Sequence, residues 1–186
     1  MRSSTAISAS ASVVQVARPS REALEAQFGR LLAGHRAALS RLAGSFTRST
    51  GDRDDLLQEI AMALWRALPS FRGDCSERTF VFRIAHNRCI THLSKRRVTV
   101  SLDEAEIDAE DPSASAEATL AEKQERQRLL AAIRELPTIH REVLALALEG
   151  MEYREIADVV GISGSNVGVR LNRARQTLKK LLEDRS

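Results

Sequence analysis

Membrane-spanning runs, cysteine pairs and strand patterns are all absent or scarce in this chain. No stretch supplies the roughly 20 consecutive apolar residues that a bilayer crossing needs. Two cysteines, Cys75 and Cys89, are too few for a disulfide framework, so a reducing cytoplasm is the simple inference. There is no Gly-rich phosphate loop and no nucleophile–base arrangement, which argues against an enzyme and against a bound cofactor. His86, Cys89 and His92 are metal-capable, but their spacing drifts around a helix, so the three ligands do not converge. No metal site is expected there, and Cys89 reads as semi-buried between two surface imidazoles. A net charge of only +3 excludes a bulk polycation.

Apolar residues recur instead with helical spacing, which predicts an all-α chain. The charge is blocked along it. Arg78 to Val100 holds six bases and no acid; Ser101 to Ala118 holds seven acids and no base. Basic blocks suit nucleic acid, and an acidic block suits a solvated, self-repelling tether. We therefore expect two small helical domains joined by an acidic flexible linker. Residues 1–20, rich in Ser and Ala, read as a disordered leader. Residues 21–97 form the first helical domain, 98–118 the linker and 119–186 the second domain.

The segment from Tyr153 to Lys180, YREIADVVGISGSNVGVRLNRARQTLKK, has the form of a DNA-binding helix-turn-helix. Ile156, Ala157 and Val160 are the apolar positions of a short first helix. Gly161 is the expected left-handed residue ending it, since glycine alone reaches positive φ without steric cost. Ser163 or Ser165 can cap the next helix. Val167, Leu171, Ala174, Leu178 and Leu181 then form one apolar stripe. The outward face carries Asn166, Asn172, Arg173, Gln176, Lys179 and Lys180. From Gly164 to Leu182 there are five bases and no acid. Amides and guanidiniums near the helix start can read base edges, and the basic end can hold phosphates. An ordinary helical hairpin with a solvated basic face would share part of this pattern.

The first domain carries two further constellations. Asp54, Asp55, Gln58 and Glu59 share one helix surface, while Leu57, Ile60, Leu64 and Leu68 form an apolar face. The acids suit docking on a basic partner; on residues alone they equally complement the helix macrodipole. Asp52 or Asp54 is the expected cap of that helix, and the PSFRGD loop ends it. The next helix reads RTFVFRIAHNRCITHLSKRR, with Phe80, Ile84 and Ile90 expected inside. Aromatics beside bases suit single-stranded DNA; an amphipathic core helix with a basic end fits the same residues.

In order, the DDLLQE helix, the LWRALPSFRG loop, the RTFVFRIAHNRCITHLSKRR helix, an acidic linker and ELPTIHREVLALALEGMEYREIADVVGISGSNVGVRLNRAR resemble an extracytoplasmic-function (ECF) sigma factor of the sigma-70 family. These are small promoter-specificity subunits of bacterial RNA polymerase. The resemblance covers about Phe28 to Leu182. It implies that Asp54, Asp55, Leu56, Gln58 and Glu59 dock on core polymerase. It implies that Phe71, Arg72, Gly73, Asp74, Cys75 and Ser76 form a loop capturing a flipped base of the −10 element. Thr79, Phe80, Arg83, Asn87 and Arg88, with the basic Lys95, Arg96 and Arg97, would separate and read that element. Ser165, Asn166, Gly168, Val169, Asn172, Arg173 and Gln176 would read the −35 element in duplex DNA.

Two departures from the family pattern stand out. Phe80 occupies a position usually held by Trp, a smaller stacking surface. Gly168 and Val169 replace basic and hydroxyl residues. The resemblance further implies an anti-sigma partner, a cytoplasmic location and a free form that is monomeric. About twenty linker residues reach at most about 65 Å, against about 70 Å between elements some twenty base pairs apart. The linker must then be well extended, which its like charges favour; an acidic spacer without a partner is the plainer alternative. A self-sufficient repressor would predict a symmetric dimer and a palindromic site. An interaction module, with the first domain and the linker as its docking platform, is a third possibility.

Overall fold

Several helix starts in this chain are set by serine side chains. In the computed structural model, which describes residues 20–99 and 120–184, Ser20 Oγ accepts from the Ala23 N–H at 3.2 Å and opens α1, Arg21–Gly44. Ser49 opens α2, Thr50–Ala67, by accepting from the Asp52 N–H at 3.1 Å. The cap is thus Ser49, not Asp52 or Asp54: the serine stands three residues ahead of an unpaired amide, the reach a capping oxygen needs. After a 3-10 turn at Leu68–Ser70, Ser76 accepts from the Thr79 N–H at 3.0 Å and starts α3, Glu77–Thr99. Helices α4, Leu120–Glu135, and α5, Thr138–Leu148, follow. Next come α6, Tyr153–Val160, and α7, Gly164–Glu183. No strand occurs among the described residues. The leader and almost all of the acidic linker, with Asp103 through Glu117, lie outside them.

The first core is built from Leu31, Leu39 and Leu42 of α1, Leu56, Ile60 and Leu64 of α2, and Val81, Phe82, Ala85 and Cys89 of α3. The inward face of α3 is therefore one position away from the expected one. Phe82 is buried, whereas Phe80, Ile84 and Ile90 are half-buried at its flank. The second core joins Leu136, Val143, Leu146, Ile156, Val159, Val167, Leu171 and Ala174 from α4 to α7. Gly161 ends α6 in the left-handed region at φ +77, its N–H donating to the Ala157 carbonyl at 2.9 Å.

The two helical blocks pack on each other, chiefly through α3 against α6. Beside a continuous apolar core, several polar contacts cross between them. Arg41 grips the Glu149 carboxylate with two hydrogen bonds, at 2.9 and 2.6 Å. Arg78 donates to the Glu149 carbonyl and, at 3.4 Å, to that of Gly150. Arg83 donates to the Asp158 carbonyl at 3.2 Å, and Arg134 to the Gly44 carbonyl at 3.0 Å. At the centre, buried Glu142 of α5 faces His86 of α3 at 3.2 Å and Arg170 of α7 at 2.8 Å.

Candidate nucleic-acid and polymerase interfaces

Helix α7 presents the clearest surface. Ser163 Oγ accepts from the Asn166 N–H at 3.3 Å and fixes where the helix begins. Val167, Leu171 and Ala174 are buried, which turns Ser165, Asn166, Val169, Asn172, Arg173 and Gln176 outward together. They fall into two interleaved rows with steps of three and four, Ser165–Val169–Asn172–Gln176 and Asn166–Val169–Arg173–Gln176, so they share one face. Gly168 lies at its edge, 3.5 Å from the Tyr153 ring when measured from the position a Cβ would take. Beside this face stands His140 of α5. Burial, then the charges of Arg173 and Arg170, hold its pKa below the ordinary 6.5.

Helix α3 is more occupied. Thr79 is buried and its hydroxyl meets that of Ser76 at 2.9 Å, so its side chain faces the protein. The rings of Phe71 and Phe80 stand 4.5 Å apart, joining the loop to the helix. Arg83 reaches α6, as described, while Asn87 is exposed and Arg88 half-buried. Arg72, Gly73 and Asp74 are exposed in the loop, with Gly73 at φ +79. Cys75 is half-buried and Ser76 is exposed. Lys95 lies 3.8 Å from Glu59 of α2; the side chains of Arg96 and Arg97 lie outside the described residues. The metal-capable trio does not gather: Cys89 is in the core, where burial pushes its thiol pKa up, and His86 turns to Glu142. Cys89 is thus fully buried rather than semi-buried, and His86 is inside rather than at the surface.

On α2, Asp54, Asp55 and Gln58 are exposed and Glu59 is half-buried. Leu56 is different: it is fully buried in the first core, so it shapes the helix rather than offering a side chain to a partner. Sequence reasoning missed two neighbours, Met62 at 51% and Trp65 at 37% exposure. They continue the Asp55–Gln58 face by one and two turns, and that spacing was the available signal. Trp65 meets Phe28 edge-on, with centroids 5.2 Å apart, which steadies the indole at the surface. A groove of about 280 Å³ opens between the blocks, lined by Arg41, Arg53, Leu129, Ile133, Leu148 and Glu149 among others.

The described residues thus define a class: a two-block helical protein with a helix-turn-helix beside a basic and aromatic helix. Residues 31–99 match the family Sigma-70 region 2, and residues 126–178 match Sigma-70, region 4. The RNA polymerase sigma factor CnrH of Cupriavidus metallidurans is 35% identical over 167 residues, spanning 84% of this chain and 86% of that protein. The ECF sigma factor SigM of Mycobacterium tuberculosis is 30% identical, spanning 83% of this chain and 76% of its own length. The solved structure of CnrH in complex with the cytosolic domain of CnrY superposes with a TM-score of 0.66 at 32% identity, covering 87% of this chain and 91% of that one. The chain belongs to the ECF sigma factors of the sigma-70 family. Members of that family are promoter-specificity subunits of RNA polymerase. No helix among the described residues is long and apolar enough to cross a membrane.

Proposed function

We propose that this chain binds core RNA polymerase in the cytoplasm and brings it to promoters whose −35 element α7 reads as duplex and whose −10 element α3 and the Phe71–Ser76 loop read as single strand. The reading rests above all on the exposed face of α7: six side chains on one stripe, in a segment with no acid between Gly164 and Leu182. Residues 21–97 and 119–186 are its two working domains, with 98–118 as the tether. Asp54, Asp55, Gln58 and Glu59, continued by Met62 and Trp65, form the polymerase-docking side of α2.

Promoter opening costs a few kcal/mol per flipped base. The sequence shows no phosphate loop that could couple this step to nucleotide hydrolysis. The chain acts by binding the opened strand more tightly than the duplex, which shifts the equilibrium. The Phe71–Phe80 pair supplies the stacking surface for that differential binding. Because Arg83 is held against α6 and Thr79 is buried, strand reading requires the two domains to part first. We further propose that the chain is monomeric when free and that an anti-sigma protein binds it, as the cytosolic domain of CnrY binds CnrH.

The test is transcription in vitro by core polymerase with and without this chain on genomic fragments, with start sites mapped by RNA sequencing. New starts that share two motifs at fixed spacing support the function. No new initiation from active core enzyme and folded chain refutes it.

A further inference from the structure

The reading face of α7 holds one residue that cannot hydrogen-bond. Val169 is 49% exposed, the sixth residue of the helix, and stands between Asn166 one turn before and Asn172 and Arg173 one turn after. Next to it the chain has no side chain at all, at Gly168. The ring of Tyr153, a residue 49% exposed, stands beside that flank, 3.5 Å from where a Cβ of Gly168 would sit. The result is a small apolar strip, from Tyr153 across Gly168 to Val169, set inside a polar and basic surface.

A protein partner with an apolar patch would fit this strip poorly, because amides and guanidiniums surround it. The major groove of duplex DNA fits it. There phosphates meet the bases of α7, and amides and guanidiniums meet base edges. Thymine is the one base that offers a methyl group, at C5, to an apolar side chain. We propose that Val169, backed by Tyr153 at Gly168, reads the 5-methyl group of one thymine in the −35 element. Gly168, flanked by Tyr153, puts no side chain of its own beside Val169. This inference rests on the proposed duplex-reading role of α7 and adds the identity of one base to it.

The experiment uses holoenzyme assembled from the full chain and core polymerase. Selection from random duplexes at the upstream element first defines the bound sequence. Each thymine in it is then replaced singly by deoxyuridine, which removes the methyl and nothing else. At one position binding should weaken about fourfold, the effect of one buried methyl. Val169→Ala holoenzyme should bind thymine and uracil duplexes about equally at that position. A selected element without thymine, no uracil-sensitive position, or an undiminished uracil penalty in Val169→Ala overturns the inference and leaves the role of α7 standing. Holoenzyme that selects no upstream element overturns that role, and the inference with it.

Discussion

Helices α3 and α7 carry the two sets of residues proposed to read DNA, and they are in opposite states. On α7 Ser165, Asn166, Val169, Asn172, Arg173 and Gln176 all face solvent. On α3 Thr79 is buried, Phe80 lies against Phe71, Arg83 is held by the Asp158 carbonyl and Lys95 stands near Glu59. A surface that reads intact duplex can be ready at all times, because its target always exists. A surface that reads melted strand has no target until the promoter opens, and here its side chains are engaged by the protein itself, Arg83 by the second half and the others within the first. Glu142 joins the two situations, since it pairs with His86 on the covered helix and Arg170 on the open one.

Removing that joint should have the largest effect on the contrast. Glu142→Gln weakens the seam contact to His86 of α3 and leaves Arg170, in Glu142's own block, without its charged partner in a mostly buried site. Breaking a fully buried pair costs about 3–5 kcal/mol, and partial solvent access lowers this to about 2 kcal/mol; the Arg170 side chain keeps 24% of its exposure. The expected outcome is a more open free chain, measured as a larger radius of gyration in X-ray scattering. An unchanged radius would show that the seam does not depend on Glu142.

Next in size, Arg173→Ala should weaken holoenzyme binding to upstream duplex by about 1–3 kcal/mol, with little change on a pre-melted downstream strand. Equal losses on both probes, measured by fluorescence anisotropy, would erase the distinction between the two helices. Arg83→Ala should do the reverse. It removes one hydrogen bond to α6, worth about 1 kcal/mol, so the free chain opens slightly, while binding to the melted strand falls.

The smallest effect concerns pH. His140 beside Arg173 and Arg170 is held below its ordinary pKa, so the fold favours its neutral form. Its contribution to stability is complete above the unfolded value of 6.5 and is lost as pH falls from there through the lowered folded value. Thermal midpoints should drop on acidification in that window, and less steeply in His140→Gln. Parallel pH profiles would exclude this role.

What could be read from residues alone follows the range of the forces involved. The stripe on α7, the left-handed Gly161 and the Ser163 cap depend on neighbours three or four positions apart, so they were visible in the chain. The inward turn of Leu56 and Thr79 was not, because docking motifs name positions without saying which side of the helix is buried. The difference that puts Phe82 rather than Phe80 in the core has the same origin: both patterns are apolar, and packing against α1 and α2 decides between them. The Glu142 joint was out of reach altogether. Its partners lie 56 and 28 residues away in sequence, and only the folded arrangement brings them together.

The seam between the domains has one more implication, for what the chain looks like once apart. Its crossing hydrogen bonds end on main-chain carbonyls, on two carboxylates and on guanidinium groups. Each of these is hydrated at once when uncovered, so the polar part of the seam loses little on opening. Reclosure remains selective, because misaligned arginines would lose their acceptors.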